Sequence, residues 1–181
     1  GFTEYFNKNK SIYIAISPGQ FAPFGIKIGY LSNTKQSGYY ISARSTSNVF
    51  SKVKNDYEME YGYGIENADN LTFNYLNNAL YRRYEVVLGA AKKGGSLGHY
   101  YGIGFGSVSY LYQCDVSSYY ESIGRKWVLN KDISATPGFV YEFGFLYFYK
   151  KLNFSIGMSS FWIDKRPFFE RMLTGGIGIV Y

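Results

Sequence analysis

The sequence predicts an all-β fold: an eight-stranded antiparallel transmembrane β-barrel, closed, with short turns at one end and longer loops at the other. Three observations predict it. Apolar residues alternate with polar or small ones at period two along most of the chain, the mark of strands with two unlike faces. The alternating runs number eight, and the long connections fall only on alternate links, so they gather at one end of the sheet. The composition is rich in rings and glycine, with 21 Tyr, 15 Phe and 21 Gly among 181 residues, while only 18% of residues are charged.

The elements follow in chain order. The first run covers 10–17, where Ile12, Ile14 and Ile16 alternate with Tyr13 and Ala15. The second, 23–31, sets Ile26, Ile28 and Tyr30 against Gly25, Lys27 and Gly29; the third, 38–46, sets Tyr39, Ile41 and Ala43 against Tyr40, Ser42 and Arg44. In the fourth, 79–91, Leu80, Tyr84, Val86 and Leu88 alternate with Tyr81, Arg83, Glu85 and Gly89. The fifth, 96–112, is less regular: Tyr101, Ile103 and Phe105 share a face that Ser107 and Ser109 would join, which predicts a register-shifting bulge. The sixth, 135–149, has the clearest pattern, with Phe139, Tyr141, Phe143, Phe145, Tyr147 and Tyr149 on one face. The seventh (152–163) and eighth (170–181) repeat it through Leu152, Phe154, Ile156 and Met158, then Leu173, Ile177, Ile179 and Tyr181. Long connections fall near 47–78 and 113–134, and Asn70–Ala79 reads as a helical turn within the first. No repeat, low-complexity run or linker interrupts the series, so 1–181 reads as a single domain.

Composition excludes several classes. Charge is too low and aromatic content too high for a disordered chain. The single cysteine, Cys114, excludes an intramolecular disulfide and a cysteine-cluster metal site. No window approaches about 18 consecutive apolar residues, the length of a transmembrane helix. The net charge of +6 has many contributors in connections (Lys52, Lys54, Arg125, Lys126, Lys131, Lys165, Arg166), and no nucleic-acid motif accompanies them. The chain begins at Gly1 without a signal peptide, which decides nothing, since a mature exported protein would look the same.

Alternation alone does not say which face is inside, and a soluble lipocalin-like barrel alternates too. Four features favour the inverted, membrane arrangement. Strands near ten residues match a tilted crossing of the hydrocarbon layer. The apolar faces are large and aromatic, an aggregation hazard in water and too bulky to fill an eight-stranded interior. The opposite faces combine small residues with Lys27, Arg44, Arg83, Glu85 and Glu142, a set that can pair in a narrow lumen, whereas a soluble exterior carries far more charge. The asymmetry of short turns and long loops is that of outer-membrane barrels.

On these residues the chain resembles the small eight-stranded bacterial outer-membrane β-barrels of the OmpA/OmpX type, over about 10–181. The most specific carrier is the final strand, Gly175-Gly176-Ile177-Gly178-Ile179-Val180-Tyr181, which ends on an aromatic residue with apolar residues two and four places earlier. The resemblance implies that Ile177, Ile179 and Tyr181 form the signal read by the barrel-assembly machinery. It also implies a bacterial outer-membrane location with both termini in the periplasm, short periplasmic turns, and the loops near 47–78 and 113–134 outside. Tyr30, Tyr147, Tyr149, Trp162 and Tyr181 would then sit at the two interfaces.

Candidate sites follow from this frame. Lys27, Arg44, Arg83, Glu85 and Glu142 read as a barrel-interior charge network that fills the lumen; a proton or ion path is the alternative. Arg83 points inward, and Arg82 is expected to snorkel to the outer interface. Arg125, Lys126, Lys165 and Arg166 are candidate contacts to lipopolysaccharide phosphates, with a solvated rim the plainer reading. His99, the only histidine, lies near the short-turn end without an adjacent Ser or carboxylate, so it reads as an interfacial ring, not a catalyst. Cys114 reads as a buried thiol. Asp56, Glu58, Glu60, Glu66 and Asp69 make the longest loop acidic, without the ordered spacing of a calcium site. No catalytic, cofactor or metal site is expected. The function expected is non-enzymatic: a structural or accessory subunit of a larger outer-membrane protein assembly. The alternative is a surface-exposed binding or adhesion barrel acting through its long loops, and a lipid-modifying enzyme stands third. Expected partners are outer-membrane lipid and lipopolysaccharide, the assembly machinery and other outer-membrane proteins, with no nucleic acid.

Overall fold

The computed structural model describes residues 10–46, 59–61, 72–117, 122–130, 135–163 and 166–181; within these, the side chains of 59–61, 123, 135–137, 163 and 166–170 are not described. Ten strands form: β1 (Lys10–Ile16), β2 (Phe24–Ser32), β3 (Ser37–Ser45), β4 (Met59–Tyr61), β5 (Thr72–Gly94), β6 (Leu97–Ser117), β7 (Ser122–Asn130), β8 (Ala135–Tyr149), β9 (Leu152–Ile163) and β10 (Arg166–Val180). Eight of them, β1, β2, β3, β5, β6, β8, β9 and β10, pair in antiparallel succession. The first and last then pair with each other, Tyr13 opposite Val180 and Ile16 opposite Ile177, closing the ring. Closure leaves no strand edge within the ring, so its backbone donors and acceptors meet partners in neighbouring strands.

Short turns hold one end of the ring. β8 and β9 are joined by Lys150 and Lys151 alone, with Lys150 at φ 53°. The β5–β6 turn places Gly95 at φ 65°, a left-handed conformation that glycine adopts without a Cβ penalty. The bulge expected in the fifth run is corrected: β6 pairs with β5 without a shift from Ala79 to Gly94, and the extra residue lies on β8, where Thr136 and Pro137 stand against Ser107 alone between the pairs Gly106–Gly138 and Val108–Ala135. Along β6, Tyr101, Ile103 and Phe105 face outward, while Val108 and Leu111 further along are buried.

Two expectations are corrected at the other end. Asn70–Ala79 is not a helical turn in its described part: Thr72–Ala79 is strand, the outer reach of β5, paired to Tyr112–Ser117 of β6 through a register shift between Tyr75 and Ala79. The region 113–134 is not simply a loop. β6 continues to Ser117, and β7 folds back onto it from Leu111 to Ser117. Helix propensity is overridden here because the paired strands satisfy each other's backbone groups. The result is a sheet that rises beyond the ring, with β4 added in parallel to β7. Tyr75 meets Tyr112 edge-on with centroids 5.9 Å apart, and Asn78 donates to Gln113 across 2.8 Å.

Candidate functional site: a charged lumen and an apolar outer wall

Period two sends alternate residues of every ring strand into the lumen, and the inward set is polar or small. Lys27, Arg44, Arg83, Glu85 and Glu142 are each at most 2% exposed. They form one chain of contacts. Lys27 Nζ lies 3.0 Å from Glu142 Oε1. Glu142 also accepts from Tyr40 Oη at 3.1 Å, from Ser42 Oγ at 3.0 Å, and from Arg44 Nη2. Arg44 bridges onward through Nη1 to Glu85 at 2.7 Å, and its Nε and Nη2 donate to the carbonyl and hydroxyl of Ser17. Glu85 takes Nε and Nη2 of Arg83 at 3.0 and 2.7 Å, and Ser159 Oγ donates to it at 3.0 Å. The network thus ties β2, β3, β5, β8 and β9 across the interior.

Three cations face two carboxylates, and the excess charge meets rings. Lys27 Nζ sits 3.5 Å from the Tyr100 ring centroid and 4.9 Å from that of Tyr40, within cation–π range. Glycine makes room for these rings. A Cβ at Gly29 would strike the Tyr13 ring, one at Gly138 the Phe161 ring, and one at Gly157 the Tyr100 hydroxyl. The small residues on the inward face therefore have a steric cause: eight strands enclose little space, and each large interior side chain needs a neighbour without one.

The outward face is the inverse. Each ring strand exposes large apolar side chains: Ile14 on β1, Ile26 on β2, Ile41 on β3, Leu88 on β5, Ile103 on β6, Phe145 on β8, Ile156 on β9 and Ile177 on β10 among them. Of the residues expected to form a C-terminal assembly signal, Ile177 and Ile179 point outward from β10, and Tyr181 is exposed just beyond it. Tyr147, Tyr149 and Tyr181 lie exposed towards the short-turn end, and Trp162 towards the opposite one.

The remaining candidates are scattered. Arg125 pairs with Asp115 at 3.1 Å, both substantially exposed, a surface contact of small energetic weight. Lys126 follows it on β7 and so points to the opposite face; the two do not converge. Lys165, the side chain of Arg166, the side chain of Glu60, and Asp56, Glu58, Glu66 and Asp69 lie outside what is described. Arg82 is a correction: it is 7% exposed, not displayed at the interface, because it sits above the ring where β5 continues into the raised sheet. His99 is exposed on the outer wall, opposite Lys92 and Phe145. Cys114 is buried with Val116 and Val128 in a small cluster of the raised sheet. Burial and the adjacent Asp115 carboxylate push its thiol up, so it stays protonated and weakly nucleophilic. Among the described residues no three His, Cys, Asp or Glu side chains gather as metal ligands.

Sequence reasoning missed three parts of this arrangement: the roles of Tyr40, Ser42, Ser17 and Ser159 as network partners, the glycine–ring pairs, and the raised sheet. Inward parity already placed Tyr40 and Ser42 with Arg44. Their cross-lumen partners depend on register, which the pattern of a single strand does not contain.

No protein-family model and no curated protein matches the chain. Solved structures similar to it include the outer membrane protein Ail of Yersinia pestis in a phospholipid bilayer nanodisc, at 12% identity and a TM-score of 0.47, over 96% of this chain and 99% of that one. Neisserial surface protein A is similar at 10% identity and a TM-score of 0.34, over 95% and 92% of the two chains.

Proposed function

We propose that the chain is a non-enzymatic integral β-barrel of a bacterial outer membrane. In this reading it serves as a structural or accessory subunit of a larger outer-membrane protein assembly. The observation that carries the membrane reading is the inverted polarity of the ring: buried charges inside, aliphatic and aromatic side chains outside on all eight strands. Water would meet a continuous apolar girdle at a cost of about 25 cal/mol per Å², and lipid removes that cost. The paired charges occupy the lumen, which argues for an anchor and against a pore. Short turns would face the periplasm, with both ends of the described chain on that side.

The test has two arms. Refolded protein is mixed with phosphatidylcholine vesicles, and insertion is read by a heat-sensitive shift in electrophoretic mobility and by resistance to carbonate extraction. Extraction without detergent would sink the membrane reading. A tagged pull-down from outer membranes in mild detergent, followed by native mass spectrometry, then tests the subunit reading; stoichiometric recovery of other outer-membrane proteins is expected.

One observation favours a second reading, a surface-exposed binding barrel. The raised sheet of β5, β6 and β7 carries exposed Tyr75, partly buried Trp127 and the exposed Arg125–Asp115 pair beyond the ring, where a soluble ligand can reach them. Deleting 118–130 separates the readings. Loss of external binding with assemblies intact supports the second; loss of co-purifying membrane proteins supports the first.

A further inference from the structure

Cross-strand register stacks the outer wall near the short turns into three chemically distinct rows. The row nearest the turns runs Lys10, Ser32, Ser37, Lys92, His99 from β1 to β6. The next runs Ile12, Tyr30, Tyr39, Ala90, Tyr101, and the third Ile14, Ile28, Ile41, Leu88, Ile103. The order is cation and hydroxyl, then aromatic, then aliphatic. Ala90 interrupts the aromatic row: Tyr39 and Tyr101 stand exposed on either side of its methyl group, leaving a notch. A groove of about 940 Å³ occupies this wall, its lining including Lys92, His99, Ser37, Lys35 and Ala90. The electrostatics point one way. Lys10, Lys35, Lys92, Lys93, Lys150 and Lys151 lie at this end, whereas the described carboxylate side chains are Glu85 and Glu142 in the lumen and Asp115 in the raised sheet.

We propose that this groove holds the headgroup of an anionic phospholipid from the leaflet at the short-turn end. Its phosphate lies against Lys92, Ser37 and His99, and an acyl chain descends through the Ala90 notch onto Leu88. The proposal rests on the membrane reading above. An ammonium and a hydroxyl on one row supply charge-assisted hydrogen bonds to a phosphate. The flanking tyrosines supply the amphipathic rings favoured at that depth, and the aliphatic row continues the surface an acyl chain needs. A free anion would use the first row only; the three rows together match a lipid along its length.

The test uses full-length protein refolded in zwitterionic micelles and offered equal amounts of phosphatidylglycerol and phosphatidylcholine, with retained lipid read by native mass spectrometry. Preferential retention of phosphatidylglycerol is expected, unaffected by millimolar inorganic phosphate. Lys92→Gln is expected to lower that preference by about fivefold, the effect of one basic residue at an anionic surface. Ala90→Leu, which fills the notch and leaves every charge in place, is expected to lower retention of the lipid as well. Lys151→Gln, at the same rim but outside the groove, is expected to change it little. Equal retention of the two lipids overturns the site, as does an equal loss in Lys92→Gln and Lys151→Gln, which would mean a diffuse basic rim. Competition by inorganic phosphate also overturns it, in favour of a free-anion site. Insertion into pure phosphatidylcholine vesicles is measured in parallel: failure there overturns the membrane reading and the lipid site with it, while insertion without lipid preference overturns the site alone.

Discussion

Glu142 is the most connected side chain of the lumen, holding Lys27, Arg44, Tyr40 and Ser42 at once. Replacing it with Gln removes the counter-charge of two buried cations. Glu142→Gln is therefore expected to destabilise the barrel by about 3–5 kcal/mol, the range for breaking one partner of a buried ion pair. The measurement is the urea unfolding midpoint in micelles. A change under about 1 kcal/mol would mean that water enters the lumen freely and screens the charges. The glycine–ring pairs make a second prediction. Gly29→Ala drives a methyl group into the Tyr13 ring, with an expected loss of about 1–3 kcal/mol from overpacking. Gly94→Ala, where the new Cβ meets open space, serves as control and should fall well short of that loss. At Cys114, complete burial predicts that maleimide labelling of the folded protein is slow and becomes fast on unfolding; equal rates in both states would place the thiol at the surface.

At the scale of elements, one local device sets the register between β6 and β8. Two β8 residues, Thr136 and Pro137, stand against Ser107 of β6, which shifts the β6–β8 register at the top of the ring. Deleting Pro137 removes the extra residue of β8 and, because side chains alternate with period two, forces one end of β8 to present its inward residues outward. The expected outcome is failure of the heat-sensitive mobility shift; a fully folded deletion variant would show that the bulge is incidental. The raised sheet, in contrast, pairs outside the ring closure. Deletion of 118–130 should leave the mobility shift intact while abolishing any binding that the sheet performs.

The whole molecule is organised by one inversion, with charge inside and hydrocarbon outside. The chain of ion pairs from Lys27 to Arg83 spans the lumen, and it is expected to block the passage of solutes. Vesicles carrying the inserted protein should retain a trapped dye as well as protein-free vesicles do. Release at the rate of a porin would require the network to open, and would move the reading from anchor to channel. The same polarity explains why the exterior can be so aromatic: what water penalises, an acyl environment accepts.

The sequence by itself determined the ring strands and their inward and outward faces, because period-two alternation is a local consequence of backbone geometry; the extra residue of β8 opposite Ser107 was decided by pairing between strands. Inward parity likewise selected Lys27, Arg44, Arg83, Glu85 and Glu142 as one set. The tertiary structure alone decided which of them meet. Glu142 is 115 residues from Lys27 and 98 from Arg44, and only ring closure with a definite stagger brings such distant positions to one level of the lumen. The same holds for Arg82, for the strand at Thr72–Ala79, and for the Lys92–Ala90–Leu88 column with its neighbours on either side. Each depends on what an adjacent strand places beside it. Alternation reports how a residue faces its own strand; register and closure decide its company.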